Sequence, residues 1–316
     1  MIDQSQGRWL LGRDPQPFEG RVLGRHRPCN DDSPPISRAR IDLRQLLPPW
    51  LLGAALLVSP ALGLTEAPVI RVENEAAVPA AELESILQDF RAWATRVYRY
   101  NHADPGPVTL RLTRKVPFGF YQGESVIMPP SADRWEMRDN WVHELTHHAT
   151  GHDSSFFFKE GIAVHTLEAL FAEEGRVPAT WPQFGQRTDA WVSLYLARGQ
   201  LMKLSEALGW EHYRGDTADN DFRSWQIYNL AGSFVGWYVG HYGYDAFRTA
   251  FNAEWPAQDS AELERAWLAA ILEKKLALFD PAAVLPKNKR YDEYARRLSV
   301  GAPHGRESRA WPAPTK

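Results

Sequence analysis

The chain has 316 residues and a formal net charge of -3, with no dense run of Lys or Arg, which argues against a nucleic-acid binder. A hydrophobic share of 44% with 13 Trp excludes a wholly disordered chain and predicts a well-buried core, in one large domain or two small ones. The only cysteine, Cys29, excludes an internal disulfide framework.

Residues 1–37 are rich in Arg, Asp, Pro and Gly without periodicity, and read as a disordered leader or as sequence upstream of the true start. Arg38, Arg40 and Arg44 then precede an uncharged stretch from Gln45 to Thr65, whose solid apolar part runs from Trp50 to Val58. Pro60 breaks it, and Ala61-Leu62-Gly63 has the small-x-small form of a cleavage site. Together these predict a signal peptide over 38–63. The uncharged length also suits a membrane anchor over 46–64, against which Pro48, Pro49 and Pro60 count. The product is expected to be exported, periplasmic or secreted, and to lack Cys29 once processed.

A globular domain is expected over 64–300. Val69 to Val72 alternates like a strand, and Val78 to Tyr98 carries Leu83, Ile86, Leu87, Phe90, Trp93 and Ala94 on one side of a helix. Val108 to Thr113 predicts a second strand, and Gly119–Gln122 and Glu124–Met128 two shorter ones. After Pro129-Pro130, Asp133 with Glu136 makes a capping-box pattern. Met137, Trp141, Val142 and Leu145 continue it as an amphipathic helix that Gly151 stops. A loop over His152–Ser155 leads to a helix from about Glu160 to Glu174, and Thr180–Arg187 is again a loop. Helical patterns follow over Asp189–Ala207, Trp225–His241, Tyr244–Phe251, Ala261–Leu276 and Arg290–Leu298, before a loose tail over 301–316. This order predicts an α+β fold: a small mixed N-terminal sheet with an edge strand beside the helix that follows it, then a mainly α-helical part.

That helix contains His143-Glu144-Leu145-Thr146-His147. Residues four apart share a helix face, so His143 and His147 can offer two imidazoles to one metal ion, with Glu144 placed to act on a bound water. The plainer alternative is an amphipathic helix with two surface histidines. A catalytic zinc usually takes three protein ligands and keeps one open position, and His148, His152, Glu160, His165 and Glu168 are the candidates for the third.

With Lys159-Glu160-Gly161-Ile162-Ala163 twelve residues on, the His143–His147 motif resembles the gluzincin metallopeptidases, the clan that includes thermolysin and the M1 aminopeptidases, in the manner of the M1 and peptidase-MA-like groups; the spacing is shorter than in M1 enzymes and resembles the compact members. The resemblance covers about residues 69–252 and implies a zincin-like fold, a Zn2+ cofactor and hydrolysis of peptide bonds. It makes Glu160, the glutamate of an E-G-x-A segment, the third ligand. Tyr228 to Phe234 and Tyr242-Gly243 are similar to the helix and turn that follow in that group. The chain departs from it at Val164, where thermolysin-type enzymes carry an aspartate, and at His165, where many relatives carry tyrosine. Asp139, one turn before His143, is then a candidate partner for that imidazole. The metzincin pattern would instead recruit His152, but Thr150 and Asp153 stand where its glycine and histidine belong.

On this reading zinc activates a water and polarises the scissile carbonyl, and Glu144 takes the proton and passes it to the leaving amine. Tyr228 is the first candidate for steadying the oxyanion and His165 the second. Phe156 to Phe158 could line a pocket or fill the core. The expected partner is a peptide or protein substrate, possible at the sheet edge by strand addition, with no nucleic acid and with membrane contact only through an uncleaved N-terminal segment. The rival reading is a non-catalytic, peptidase-like binding or scaffold protein of the cell envelope. The export reading makes its own prediction: amino-terminal sequencing of the secreted product should give an end just after Gly63. An end upstream of Arg38 overturns both the cleavage site and the downstream start.

Overall fold

The computed structural model describes residues 67–151, 155–210, 218–251 and 260–299. The expected leader, the export segment over 38–63, Cys29, His152 and the tail over 301–316 lie outside the described residues. Strand β1 (Ile70–Asn74), helix α1 (Ala80–Tyr100) and strand β2 (Val108–Leu112) come first, with β1 and β2 parallel and Ile70 opposite Val108. Parallel neighbours need a long crossover, which α1 supplies. Strands β3 (Phe120–Gln122) and β4 (Ser125–Met128) form a hairpin around Gly123, whose φ of 62° suits a residue without Cβ. β4 runs parallel to β2, so the order is β1-β2-β4-β3 and the short β3 is an edge.

Helix α2 (Arg134–Thr150) follows, and then α3 (Phe156–Glu173), α4 (Thr188–Ala197), α5 (Leu204–Leu208), α6 (Ala218–Tyr242), α7 (Tyr244–Phe251), α8 (Ser260–Glu273), α9 (Pro281–Val284) and α10 (Lys289–Ser299). The fold is therefore α+β, a small mixed sheet followed by helices. Among the described residues no helix is long and apolar enough to cross a membrane.

Four elements differ from the sequence expectation; one of them, α6, begins at Ala218 rather than Trp225. α3 begins at Phe156 rather than near Glu160, because Phe157 and Phe158 are buried and extend the helix back to Ser155. The single helix expected over Asp189–Ala207 is two, α4 and α5. Gly199, at φ 64°, turns the chain out of α4 while the Gln200 N–H closes on the Tyr195 carbonyl at 2.9 Å. α9 was not expected; Asp280 caps its Ala282 N–H at 3.0 Å, with Pro281 in the first turn.

Two apolar clusters form the core. One lies between the sheet, α1 and α2, with Phe90, Val97, Leu110, Trp141 and Leu145 fully buried. The other lies among α3 to α10, around Trp191, Trp225, Phe234 and Trp267. α3 belongs to both. Its contact with α6 is close because each helix has a glycine at the crossing. A Cβ on Gly161 would stand 2.9 Å from the Ala231 carbonyl oxygen, and one on Gly232 would stand 2.3 Å from Val164 Cγ1. Val164 is β-branched and has little rotamer freedom to retreat.

Gly232→Ala should therefore destabilise the protein by about 1–3 kcal/mol, the usual cost of overfilling a packed site. Gly240→Ala, on the same helix with no neighbouring atom within 4 Å, should leave stability unchanged or raise it. Chemical denaturation of both variants checks this, and equal midpoints would show slack at the α3–α6 crossing.

Candidate metal centre

α2 starts where Asp133 accepts the Trp135 N–H at 2.8 Å and the Glu136 N–H at 3.3 Å. The Glu136 carboxylate closes the cap on the Ser131 hydroxyl at 2.8 Å instead of reaching back to the Asp133 N–H. Gly151, at φ 82°, ends the helix with its N–H on the His147 carbonyl at 3.0 Å. Burial of Met137, Trp141, Val142 and Leu145 sets the rotation of α2, which turns His143 and His147 towards α3. Their rings lie 4.8 Å apart at 89°.

Glu160 meets them from the second turn of α3. His143 Nε2, His147 Nε2 and Glu160 Oε2 form a triangle with every side 3.2 Å. Bonds of about 2.0–2.1 Å at tetrahedral angles would separate three ligand atoms by roughly 3.3 Å, so the spacing fits one small divalent cation. The chemistry of the set fits as well. Two imidazoles and a carboxylate suit a first-row transition ion better than magnesium or calcium, which favour oxygen throughout. His147 Nδ1 is buried without a partner, so among the described residues the triangle gives this imidazole its polar contacts. Burial opposes the charge on Glu160, yet the two histidines outweigh it and hold its carboxyl well below the usual range. These three side chains are the metal-capable cluster among the described residues.

Glu144 stands beside this triangle, its carboxylate accepting the backbone N–H of Tyr121 on the edge strand β3. Burial pushes its pKa up, against the pull of the two histidines. Tyr228, on α6, lies nearly parallel to the His143 ring, 6.2 Å away at 27°. Phe156 and Trp181 meet the Tyr228 ring edge-on at 5.6 and 5.9 Å. Phe156 is half-buried and belongs to this wall, whereas Phe157 and Phe158 are core. Lys159 Nζ lies 3.6 Å from Glu160 Oε1.

The other candidates lie elsewhere. His165 Nε2 is 2.8 Å from the Tyr100 hydroxyl and its Nδ1 faces Gly236; burial pushes its pKa down to about 4. His148 packs between the Tyr98 and Tyr121 rings and hydrogen-bonds the Tyr98 hydroxyl. Glu168 caps α4, accepting the Thr188 N–H at 3.0 Å and its hydroxyl at 2.9 Å. Asp139 does not serve His143. Its Oδ2 accepts from the loop between α3 and α4, at 3.1 Å from Ala179 N and at 3.0 and 2.8 Å from Thr180 N and Oγ1. Sequence reasoning missed Trp181 and the Tyr121 N–H, since a loop indole and a backbone donor leave no pattern. No protein-family model, curated protein or solved structure significantly matches the chain.

Proposed function

We propose that the protein is an exported, zinc-dependent metallopeptidase of the gluzincin type, with a zincin-like domain. One observation carries the reading: a His2Glu donor triangle with 3.2 Å sides, with the carboxylate of Glu144 beside it. Three protein ligands and a fourth position left for solvent is the pattern of a catalytic rather than a structural zinc. When bound, zinc supplies an activated water and a Lewis acid for the scissile carbonyl.

The chain's own residues do the rest. His143, His147 and Glu160 hold the ion. Glu144 acts as general base and then delivers the proton to the leaving amine. Tyr228 donates its hydroxyl to the developing oxyanion; its ring alongside His143 supports this role over His165, whose Nε2 is engaged by Tyr100. The peptide substrate adds to the edge of β3, whose Tyr121 already contacts Glu144 through its N–H.

Metal content and cleavage of a generic peptide test the proposal. The wild-type chain should bind about one zinc ion and hydrolyse peptides. Glu144→Gln should keep the metal and lose nearly all hydrolysis, and His143→Ala should lose both. Zinc without hydrolysis in the wild type would favour the binding or scaffold protein. In metal titrations Glu160→Ala should lose zinc and His152→Ala should not; the reverse reassigns the third ligand. Tyr228→Phe should lower kcat roughly ten- to a thousand-fold with zinc content and melting temperature kept, as expected for loss of one oxyanion donor. An unchanged kcat removes Tyr228 from the site and promotes His165.

A further inference from the structure

Trp181 lies in the irregular segment between α3 and α4, yet its ring rests on Tyr228, which in turn lies along His143. Something must hold an indole of a loop in one place. On one side the segment is tied to α2: Asp139 Oδ2 accepts both N–H groups and the hydroxyl of Ala179 and Thr180, the two residues before Trp181. On the other side it is tied to α6. The Pro182 carbonyl accepts Trp225 Nε1 at 2.9 Å and Asn229 Nδ2 at 3.3 Å. Trp181 is thus strung between the helix of His143 and the helix of Tyr228. The Arg290 guanidinium, itself paired with Asp221, lies 4.9 Å from the indole ring centre.

Asp139 is a costly choice for this tie. It is only 2% exposed, and its Oδ1 is buried with no hydrogen-bond partner among the described residues. Burying a carboxylate with one oxygen unpartnered costs stability, a cost that the three donors on Oδ2 offset. What the carboxylate oxygen gives instead is three convergent acceptor contacts, which fix the segment's direction as well as its proximity. The tie leaves α2 one turn before His143, so the indole is referenced to the same helix as two of the three metal-binding side chains.

We propose that Asp139 is a positioning residue: it fastens the segment before Trp181 to the metal-binding helix, so that Trp181 holds Tyr228 in register with His143. This rests on the peptidase reading for its kinetic consequence alone. Misplacing a reacting group by about 1 Å can cost on the order of a hundredfold in rate, so a loosened wall should be visible in kcat.

Asp139→Ala and Thr180→Val test it, with Asp139→Asn and Thr180→Ser as variants that keep the accepting oxygen and the hydroxyl. By hydrogen-exchange mass spectrometry of metal-free protein, residues 176–187 should exchange roughly tenfold faster in Asp139→Ala and Thr180→Val, while α2 and α6 stay as in wild type. Thr180→Ser should restore protection. In the same protein labelled at histidine, the His143 ring resonances, assigned with His143→Ala, should shift in Thr180→Val as Tyr228 moves, and return in Thr180→Ser. In zinc-loaded enzyme Thr180→Val should lower kcat about tenfold at unchanged KM and zinc content, and add nothing in a Tyr228→Phe background. Should Asp139→Ala fail to fold, the Thr180 pair decides. Unchanged exchange, unmoved His143 resonances, or a kcat loss that persists in Tyr228→Phe would overturn the proposal. A wild-type chain that cleaves no peptide would overturn the peptidase reading alone, leaving the exchange and resonance measurements to decide the positioning.

Discussion

The α3–α6 crossing depends on two missing side chains. Gly161 and Gly232 let backbone and side chain meet at distances that any Cβ would violate. The crossing sets where the candidate site lies, since Glu160 immediately precedes Gly161 and Tyr228 stands one turn before Gly232. Both side chains are thereby delivered to the face of α2 that carries His143. A wider separation would still allow helices to pack, but with the Tyr228 ring withdrawn from His143. The polar geometry of the centre is in this sense a by-product of apolar packing, fixed by contacts that themselves carry no charge.

Much of the fold was legible in the sequence because it follows from short-range periodicity. β2 alternates over five residues between two buried faces, and α2 carries both a capping aspartate and a terminating glycine. The misjudged elements are those where the local pattern is silent or uniform. Phe156, Phe157 and Phe158 show no helical period, and Ser155 precedes α3 without a side-chain cap bond. The break at Gly199 falls between Arg198 and Gln200, with Leu196, Leu201 and Met202 on either side keeping a helical spacing, and its left-handed φ marks the end of α4. α9 spans four residues, too few for any period to appear.

The candidate site divides in the same way. His143 and His147 were legible because helical geometry alone puts them together, and Glu160 because of the segment around it. Tyr228 could be reached through Ala231 and Gly232, small residues that announce a close approach. His165 follows Glu160 by five residues, about 140° round the helix, which carries it to Tyr100. Asp139 was legible as a candidate partner for His143 one turn away but not as a tie to Thr180, because that partner lies 41 residues away in a loop of no fixed pattern. Local rules recover the residues of the donor triangle; they do not recover the loop contacts around it.

α3 also settles how the molecule can come apart. Leu167, Leu170 and Phe171 complete the core beneath the sheet, while Phe157, Phe158 and Ile162 complete the helical one. Removing this helix would strip an inner wall from both, so neither cluster can remain closed while the other opens. Among the described residues the sheet and the helical layer share this wall, which favours a single cooperative transition. Folding cooperativity and the carboxylate corner of the donor triangle thus reside in the same 18 residues.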